Sequence, residues 1–242
     1  MNSSIQITLM DSTLYSLAEL ERTVLPQLHD LEQAHYRTFS HPRRRLSWLA
    51  GRMLMLTVLR HRIGSLDATA LRTAPQGGVQ YQVDRIQLSL SHSGELIAVV
   101  VSDEPIGLDV EWPRERKVLQ RPEEVFSAVE ANQLRKLPSA ERQDVFYTLW
   151  TLKEAACKAA GISLWECLRC TGFDLDAGSF SSRPPFPSGA WHFMSARLES
   201  GCYLATAARD FPNLPQIDCR RLGAAGHLDL VALAGQRFLR GQ

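Results

Sequence analysis

The spacing of apolar residues changes along the first half of the chain, and this change constrains the fold most. Over residues 43–63, apolar side chains recur every three, four or seven positions and form one stripe, which predicts an amphipathic helix. Over residues 86–91, apolar and polar residues alternate, which predicts a half-buried strand. Two further apolar runs, 96–101 and 106–112, follow turn signals and predict two more strands. Because the connections are short, we expect the three strands to pair as an antiparallel meander.

The second half of the chain repeats part of this plan. Residues 144–160 predict a second long helix, which Gly161 closes. Residues 191–198 and 202–208 predict a hairpin, and the proline- and serine-rich stretch 179–189 predicts a surface loop. The expected fold class is therefore α+β, with two similar halves related by a pseudo-twofold axis. Each half would hold a small antiparallel sheet and one long helix.

The next expectations concern the domain boundary and the classes of protein that the composition excludes. We place the boundary so that residues 1–103 form an N-terminal half and residues 104–242 a C-terminal half. The formal net charge of +1 argues against a nucleic-acid binder, which should carry a marked basic excess. No run approaches the roughly 20 apolar residues of a membrane helix, and no secretory leader is recognisable. With neither feature, we expect a cytoplasmic protein. The five cysteines are odd in number and irregularly spaced, so we expect reduced thiols.

A strand with two carboxylates on one face is the first candidate for chemistry. In the run Gly107-Leu108-Asp109-Val110-Glu111, residues two apart point to the same side, so Asp109 and Glu111 share a face. Two neighbouring carboxylates repel each other unless a cation lies between them, and hard oxygen ligands of this kind suit Mg²⁺. The alternative is a solvated strand face, which taken alone explains the same pair.

The second candidate is a helix face that carries one aromatic and two charged residues. Trp150, Glu154 and Lys158 lie opposite the apolar stripe of their helix. Glu154 and Lys158 are four residues apart, which is also the spacing of an ordinary surface ion pair. Because water does not favour a large aromatic on such a face, we expect this side of the helix to contact something polar.

The third candidate is the polar run Ser91-His92-Ser93 at the end of the first predicted strand. Neighbouring residues of a strand face opposite ways, so Ser91 and His92 are poorly placed as nucleophile and base of a hydrolase. Hydroxyl and imidazole groups at a strand end are better placed to hold phosphate oxygens. A purely structural histidine is the alternative.

Taken together and in this order, the three candidates resemble the signature of the Sfp-type 4′-phosphopantetheinyl transferases. In that family, Ser-His-Ser precedes a Gly-x-Asp-x-Glu strand, and a Trp-x-x-Lys-Glu-(Ala/Ser)-x-x-Lys helix follows about 40 residues later. The three motifs stand here at residues 91–93, 107–111 and 150–158. Residues 49–52 and 126–130 also resemble family segments, and the likeness covers roughly residues 36–161.

The resemblance implies a monomeric enzyme that transfers phosphopantetheine from coenzyme A to a serine of an acyl or peptidyl carrier protein, releasing 3′,5′-ADP. It implies Mg²⁺ held by Asp109, Glu111 and Glu154. Glu154 would also accept the serine proton, and Lys158 would act with it in catalysis.

The resemblance further implies the residues that contact coenzyme A. Lys158, His92 and Ser91 would meet its phosphates. Arg43 would meet the 3′-phosphate, with Arg45 as a near-equivalent choice.

One departure from the family concerns a lysine that contacts phosphate in a Gly-Lys-Pro sequence about 14 residues before Ser91. This chain has Gln76-Gly77-Gly78-Val79 at that place. Arg85 or the arginines at 43–45 are the candidates to replace the missing charge.

Three other functions are compatible with some of these residues. Arg43-Arg44-Arg45 would serve a nucleic-acid module, which the balanced net charge opposes. A metal-dependent phosphohydrolase would use the same carboxylates on water and release free phosphopantetheine. A non-catalytic homologue would bind coenzyme A without needing the three carboxylates.

Overall fold

The computed structural model describes residues 4–74, 78–83, 86–114, 121–211, 216–223 and 226–241. Within these ranges the helices are α1 (Leu17–Thr23), α2 (Asp30–Arg37), α3 (Pro42–Ile63), α4 (Ala128–Lys136), α5 (Ser139–Ala160) and α6 (Leu164–Cys170). The strands are β1 (Ser4–Asp11), β2 (Leu71–Thr73), β3 (Val79–Tyr81), β4 (Gln87–Ser93), β5 (Leu96–Ser102), β6 (Ile106–Glu111), β7 (Thr171–Asp174), β8 (Ser179–Ser182), β9 (Trp191–Leu198), β10 (Tyr203–Arg209), β11 (Gln216–Leu222), β12 (Leu228–Leu230) and β13 (Leu233–Gly241). None of the helices in these ranges is both long and apolar enough to cross a membrane.

The chain divides into two compact units. The N-terminal unit holds Ser4–Asp103 and Gln216–Val231, and the C-terminal unit holds Glu104–Pro215 and Ala232–Gln242. The chain thus passes from one unit to the other at 103–104, and again at 215–216 and 231–232. The assignment of residues 1–103 and 104–242 to two domains stays a prediction.

The N-terminal unit packs α3 against a five-stranded sheet of order β12-β11-β1-β5-β4. Every residue of β5 is buried, as expected for a strand with neighbours on both edges, and Ile97 and Val99 share a core with Leu49 and Leu56 of α3. Helix α3 begins with Pro42 in its first turn and ends at Gly64, whose φ of 74° a side chain would resist.

The C-terminal unit packs α5 against a six-stranded sheet of order β6-β10-β9-β13-β8-β7. Phe146 and Leu149 of α5 share a core with Phe193 of β9 and Ala205 of β10. Helix α5 ends at Gly161 in the left-handed conformation, and the Gly161 N–H donates to the carbonyl of Cys157. Both long helices, α3 and α5, contain 22 residues.

Several predictions from the sequence are confirmed. The fold class is α+β, each unit contains one long helix, and β9 and β10 pair as the predicted hairpin. Helix α5 starts at Ser139, five residues before the predicted start. The pseudo-twofold relation of the halves stays a prediction.

The predicted meander of three strands is wrong at its third member. β4 and β5 pair with each other, but β6 pairs with β10, from Ile106↔Ala208 to Glu111↔Tyr203. The sheets are also mixed, because β1 is parallel to β11 and β13 is parallel to β8. Part of the predicted loop 179–189 forms β8 because Phe180 is buried in the aromatic core.

Candidate active site

The strand β6 carries the first predicted site residues on the side that faces α5. A Cβ added to Gly107 would overlap the carbonyl oxygen of Ala155 and lie 2.7 Å from the backbone nitrogen of Ala159. Asp109 and Glu111 share this face, since side chains two apart on a strand point the same way. Asp109 is only 4% exposed, and Glu111 is half-buried. The glycine therefore lets the helix backbone approach the strand that presents both carboxylates.

We expect Gly107→Ala to destabilise the C-terminal unit by about 1–3 kcal/mol or more, because the added methyl group meets helix backbone that cannot rotate away. Thermal unfolding measures the loss. Gly172→Ala is the matched control, since Gly172 also lies in a strand of this unit but its added Cβ would meet side-chain atoms no closer than 3.2 Å. An equal loss in the two variants would contradict the close approach at Gly107.

Lys158 connects helix α5 to β6 directly. Its Nζ donates to Asp109 Oδ1 over 2.8 Å and to the carbonyl oxygen of Leu108 over 3.0 Å. Burial acts to lower the pKa of Lys158, but the charges of Asp109 and Glu154 raise it, and the net pKa lies above the ordinary lysine value. Lys158 is therefore positively charged at neutral pH, and its hydrogen-bonded partner on β6 distinguishes it from a solvated surface lysine.

The two carboxylates of β6 both raise the pKa of a neighbouring thiol. Burial raises the pKa of the Cys202 thiol to about 12, and the charges of Asp109 and Glu111 add to this effect. Asp109, Glu111 and Glu154 offer only oxygen atoms as ligands, and oxygen is the ligand atom that Mg²⁺ prefers. No group of three His, Cys, Asp or Glu residues within the described ranges forms a ready-made metal site. Mg²⁺ usually takes one or two carboxylates and completes its shell with water and phosphate, so the pair Asp109 and Glu111 fits the ion.

A buried ion pair beside the site was missed in the sequence. Lys153 and Glu130 are both completely buried, with Nζ 3.1 Å from Oε2. Lys153 also donates to the carbonyl of Thr171, while Glu130 accepts the backbone N–H groups of Phe173 and Ser127. The lysine of the Trp-x-x-Lys-Glu motif thus holds α5 to α4 and β7. The Ser127-x-x-Glu130 capping box was the only local sign of this network.

The N-terminal unit contains a similar buried pair on α3. Arg52 donates to Glu32 Oε2 through Nε at 2.9 Å and Nη2 at 2.7 Å, and it also donates to the hydroxyl of Thr73. The second oxygen of Glu32 accepts the Thr73 N–H. Each long helix therefore carries a buried cation that binds a glutamate from the preceding short helix and a threonine from a later strand.

The residues predicted to contact coenzyme A all lie in the N-terminal unit, apart from Lys158. Ser91 is buried and His92 exposed at the end of β4. Arg43 is exposed in the first turn of α3, whereas Arg45 forms an ion pair with Glu21 at 2.8 Å and stacks on a tyrosine ring. These assignments stay predictions. Gln76, Gly77 and Arg85 lie outside the described residues.

Comparison with known proteins connects these motifs to one family. Residues 105–207 match the model of the 4′-phosphopantetheinyl transferase superfamily. The chain is 28% identical over 155 residues to 4′-phosphopantetheinyl transferase psf-1 of Bacillus pumilus, covering 62% of this chain and 60% of the relative. It is 33% identical over 125 residues to 4′-phosphopantetheinyl transferase AcpT of Salmonella typhimurium, covering 51% of this chain and 62% of the relative.

A third relative aligns over more of the chain. This is 4′-phosphopantetheinyl transferase HetI of a Nostoc species, 27% identical over 202 residues, which are 76% of this chain and 83% of the relative. The first two alignments span less than two thirds of the relatives' lengths. The region matched by the family model contains both β6 and α5, and the resemblance predicted from the sequence motifs is confirmed. Over residues 105–207 the chain is similar to the 4′-phosphopantetheinyl transferase superfamily.

Proposed function

We propose that this protein transfers 4′-phosphopantetheine from coenzyme A to a serine hydroxyl of a carrier protein and releases 3′,5′-ADP. The observation that carries the proposal is the packing of helix α5 against strand β6. Asp109 and Glu111 lie on the strand face toward this helix, and Lys158 of the helix binds Asp109 at 2.8 Å. The family match covers both elements and supports the same activity.

In the proposed reaction, the carrier serine Oγ forms a bond to the β-phosphorus of coenzyme A. The bond from that phosphorus to the bridging oxygen breaks, and the oxygen leaves with 3′,5′-ADP. Glu154 accepts the serine proton, directly or through water, because it is a partly exposed carboxylate one helical turn before Lys158. Lys158, which is positively charged, donates to a phosphate oxygen as negative charge moves toward the leaving group.

We assign the metal-binding role to Asp109, Glu111 and Glu154. Mg²⁺ bound there would neutralise charge on the pyrophosphate, which phosphoryl transfer requires more than covalent assistance from the protein. The shared strand face of Asp109 and Glu111 supports this role, since it places two carboxylates side by side toward α5.

We also propose residues outside β6 and α5 for contacts to coenzyme A. We assign Ser91 and His92 to the phosphates. Arg43 is a better candidate than Arg45 for the 3′-phosphate, because the Arg45 guanidinium already binds Glu21 and Tyr36.

The partner class follows from the proposed activity. The acceptor would be an acyl or peptidyl carrier protein, and the enzyme would act as a monomer. We place the reaction in the cytoplasm, and the five cysteines support this because all are free and buried.

Intact-mass spectrometry of a carrier protein incubated with coenzyme A, Mg²⁺ and the enzyme tests the function. We expect the carrier to gain one phosphopantetheine group and 3′,5′-ADP to accumulate in equal amount. A carrier whose acceptor serine is replaced by alanine is the control and should stay unmodified. Free phosphopantetheine with an unmodified carrier would instead identify a phosphohydrolase, and binding of coenzyme A without products would identify a non-catalytic homologue.

A further inference from the structure

One buried tyrosine of helix α5 binds both backbone polar groups of a single residue beyond β6. The hydroxyl of Tyr147 donates to the carbonyl oxygen of Arg114 over 2.6 Å and accepts the Arg114 N–H over 2.8 Å. The Tyr147 ring is fully buried, whereas the Arg114 side chain is exposed. Two hydrogen bonds to one peptide residue fix its distance from the helix much as a neighbouring strand would.

The position of Arg114 makes this contact relevant to the site. β6 ends at Glu111, which is paired with Tyr203 of β10, and Arg114 follows three residues later. The ring of Tyr203 stacks on that of Tyr147, with centroids 5.2 Å apart and planes 21° apart. The strand end that presents Glu111 is therefore attached to β10 at Glu111 and to α5 at Arg114, through two tyrosines whose rings stack on each other.

The helix contacts the start of β6 and the segment just beyond its end through different residues. Gly107 rests on the backbone of α5 at Ala155 and Ala159, while Arg114 is bound by Tyr147. Glu111 lies between these contacts along the strand. Tyr147 precedes Glu154 by seven residues, which is two helical turns, so both residues lie on the same side of α5.

We propose that Tyr147 is a positioning residue that sets the separation of Glu111 from Glu154 and thereby preorganises the carboxylates for a divalent cation. This inference rests on the proposed function, because it gives those carboxylates a metal to bind. Partners outside the ligand shell orient the ligands, and their loss commonly costs 10-fold or more in metal affinity.

Tyr147→Phe tests the inference because it keeps the buried ring and removes both hydrogen bonds to Arg114. Mn²⁺ replaces Mg²⁺ as a paramagnetic probe, and electron paramagnetic resonance measures its binding in the presence of coenzyme A, with coenzyme A alone as the blank. We expect the Mn²⁺ dissociation constant to rise by about 10-fold. The transfer rate should fall at limiting Mg²⁺ and return close to that of the unaltered protein at saturating Mg²⁺.

Tyr203→Phe is the matched control. It removes the hydroxyl of the other stacked tyrosine, which donates to Asp144 Oδ1 at 2.9 Å and not to the strand end. We expect Mn²⁺ affinity to stay unchanged in this variant. An equal loss of affinity in both variants would assign the effect to general loosening of the unit and overturn the inference.

Amide hydrogen exchange gives a second measurement that needs no variant. The Arg114 N–H should exchange at least about 10-fold more slowly than an unprotected amide, although its side chain is exposed. Exchange at the unprotected rate, or an unchanged Mn²⁺ affinity in Tyr147→Phe, would overturn the inference and leave the proposed function intact. Absence of both Mn²⁺ binding and transfer in the unaltered protein would overturn the proposed function and the inference with it.

Discussion

Transfer by a Glu154→Gln variant is expected to be slower by a factor on the order of 10² or more at saturating coenzyme A. The substitution keeps the shape of the side chain but removes its charge and its capacity to accept the serine proton. If Glu154 only formed an ion pair on a helix surface, the rate would stay the same and stability would change by less than about 0.5 kcal/mol.

Single-turnover transfer across a series of Mg²⁺ concentrations separates the two roles of Glu154. Raising Mg²⁺ should recover only part of the rate, since a weakened metal site can be filled whereas a missing base stays missing. Glu141→Gln is the control, because Glu141 is exposed in the first turn of the same helix and should leave the rate unchanged. Full recovery at high Mg²⁺ would limit Glu154 to metal binding, and a rate equal to that of the unaltered protein would exclude both roles.

Lys153→Met should destabilise the C-terminal unit by about 3–5 kcal/mol, because it leaves the carboxylate of Glu130 buried without its cation. Both partners are completely buried in the folded protein. Thermal unfolding should then show a fall of roughly 6–20 °C in melting temperature.

The double variant Glu130→Gln with Lys153→Met isolates the interaction between the two charges. Its loss of stability should be clearly smaller than the sum of the two single losses, because it contains no unpaired buried charge. Arg121→Ala removes an exposed ion pair with Glu124 and should leave the melting temperature almost unchanged. Strictly additive losses in the double variant would contradict a direct Lys153–Glu130 interaction.

Local sequence signals were sufficient for the elements that carry the site. Helix α3 begins at Pro42 and ends at Gly64, and α5 ends at Gly161, because the backbone geometry of helix ends favours these residue types. The alternation of Asp109 and Glu111 with apolar residues likewise predicted a strand with both carboxylates on one face.

Contacts between distant parts of the chain could not be predicted from local signals. β6 was expected to pair with β5, its neighbour in sequence, but its partner β10 begins at Tyr203. The close approach of Gly107 to the backbone of α5 likewise has no local signature. Lys153 was given no role from the sequence, and its contacts with Glu130 and Thr171 explain its buried position.

The order of strands has a consequence for synthesis of the protein on the ribosome. β11 lies between β12 and β1 in one sheet, and β13 lies between β9 and β8 in the other. Neither sheet can therefore be completed until residues 216–241 have emerged, although domains commonly fold in order as they are translated. A premature stop codon ahead of residue 216 would remove inner strands from both sheets at once, so the nascent chain must remain incompletely folded until residues 216–241 have been translated.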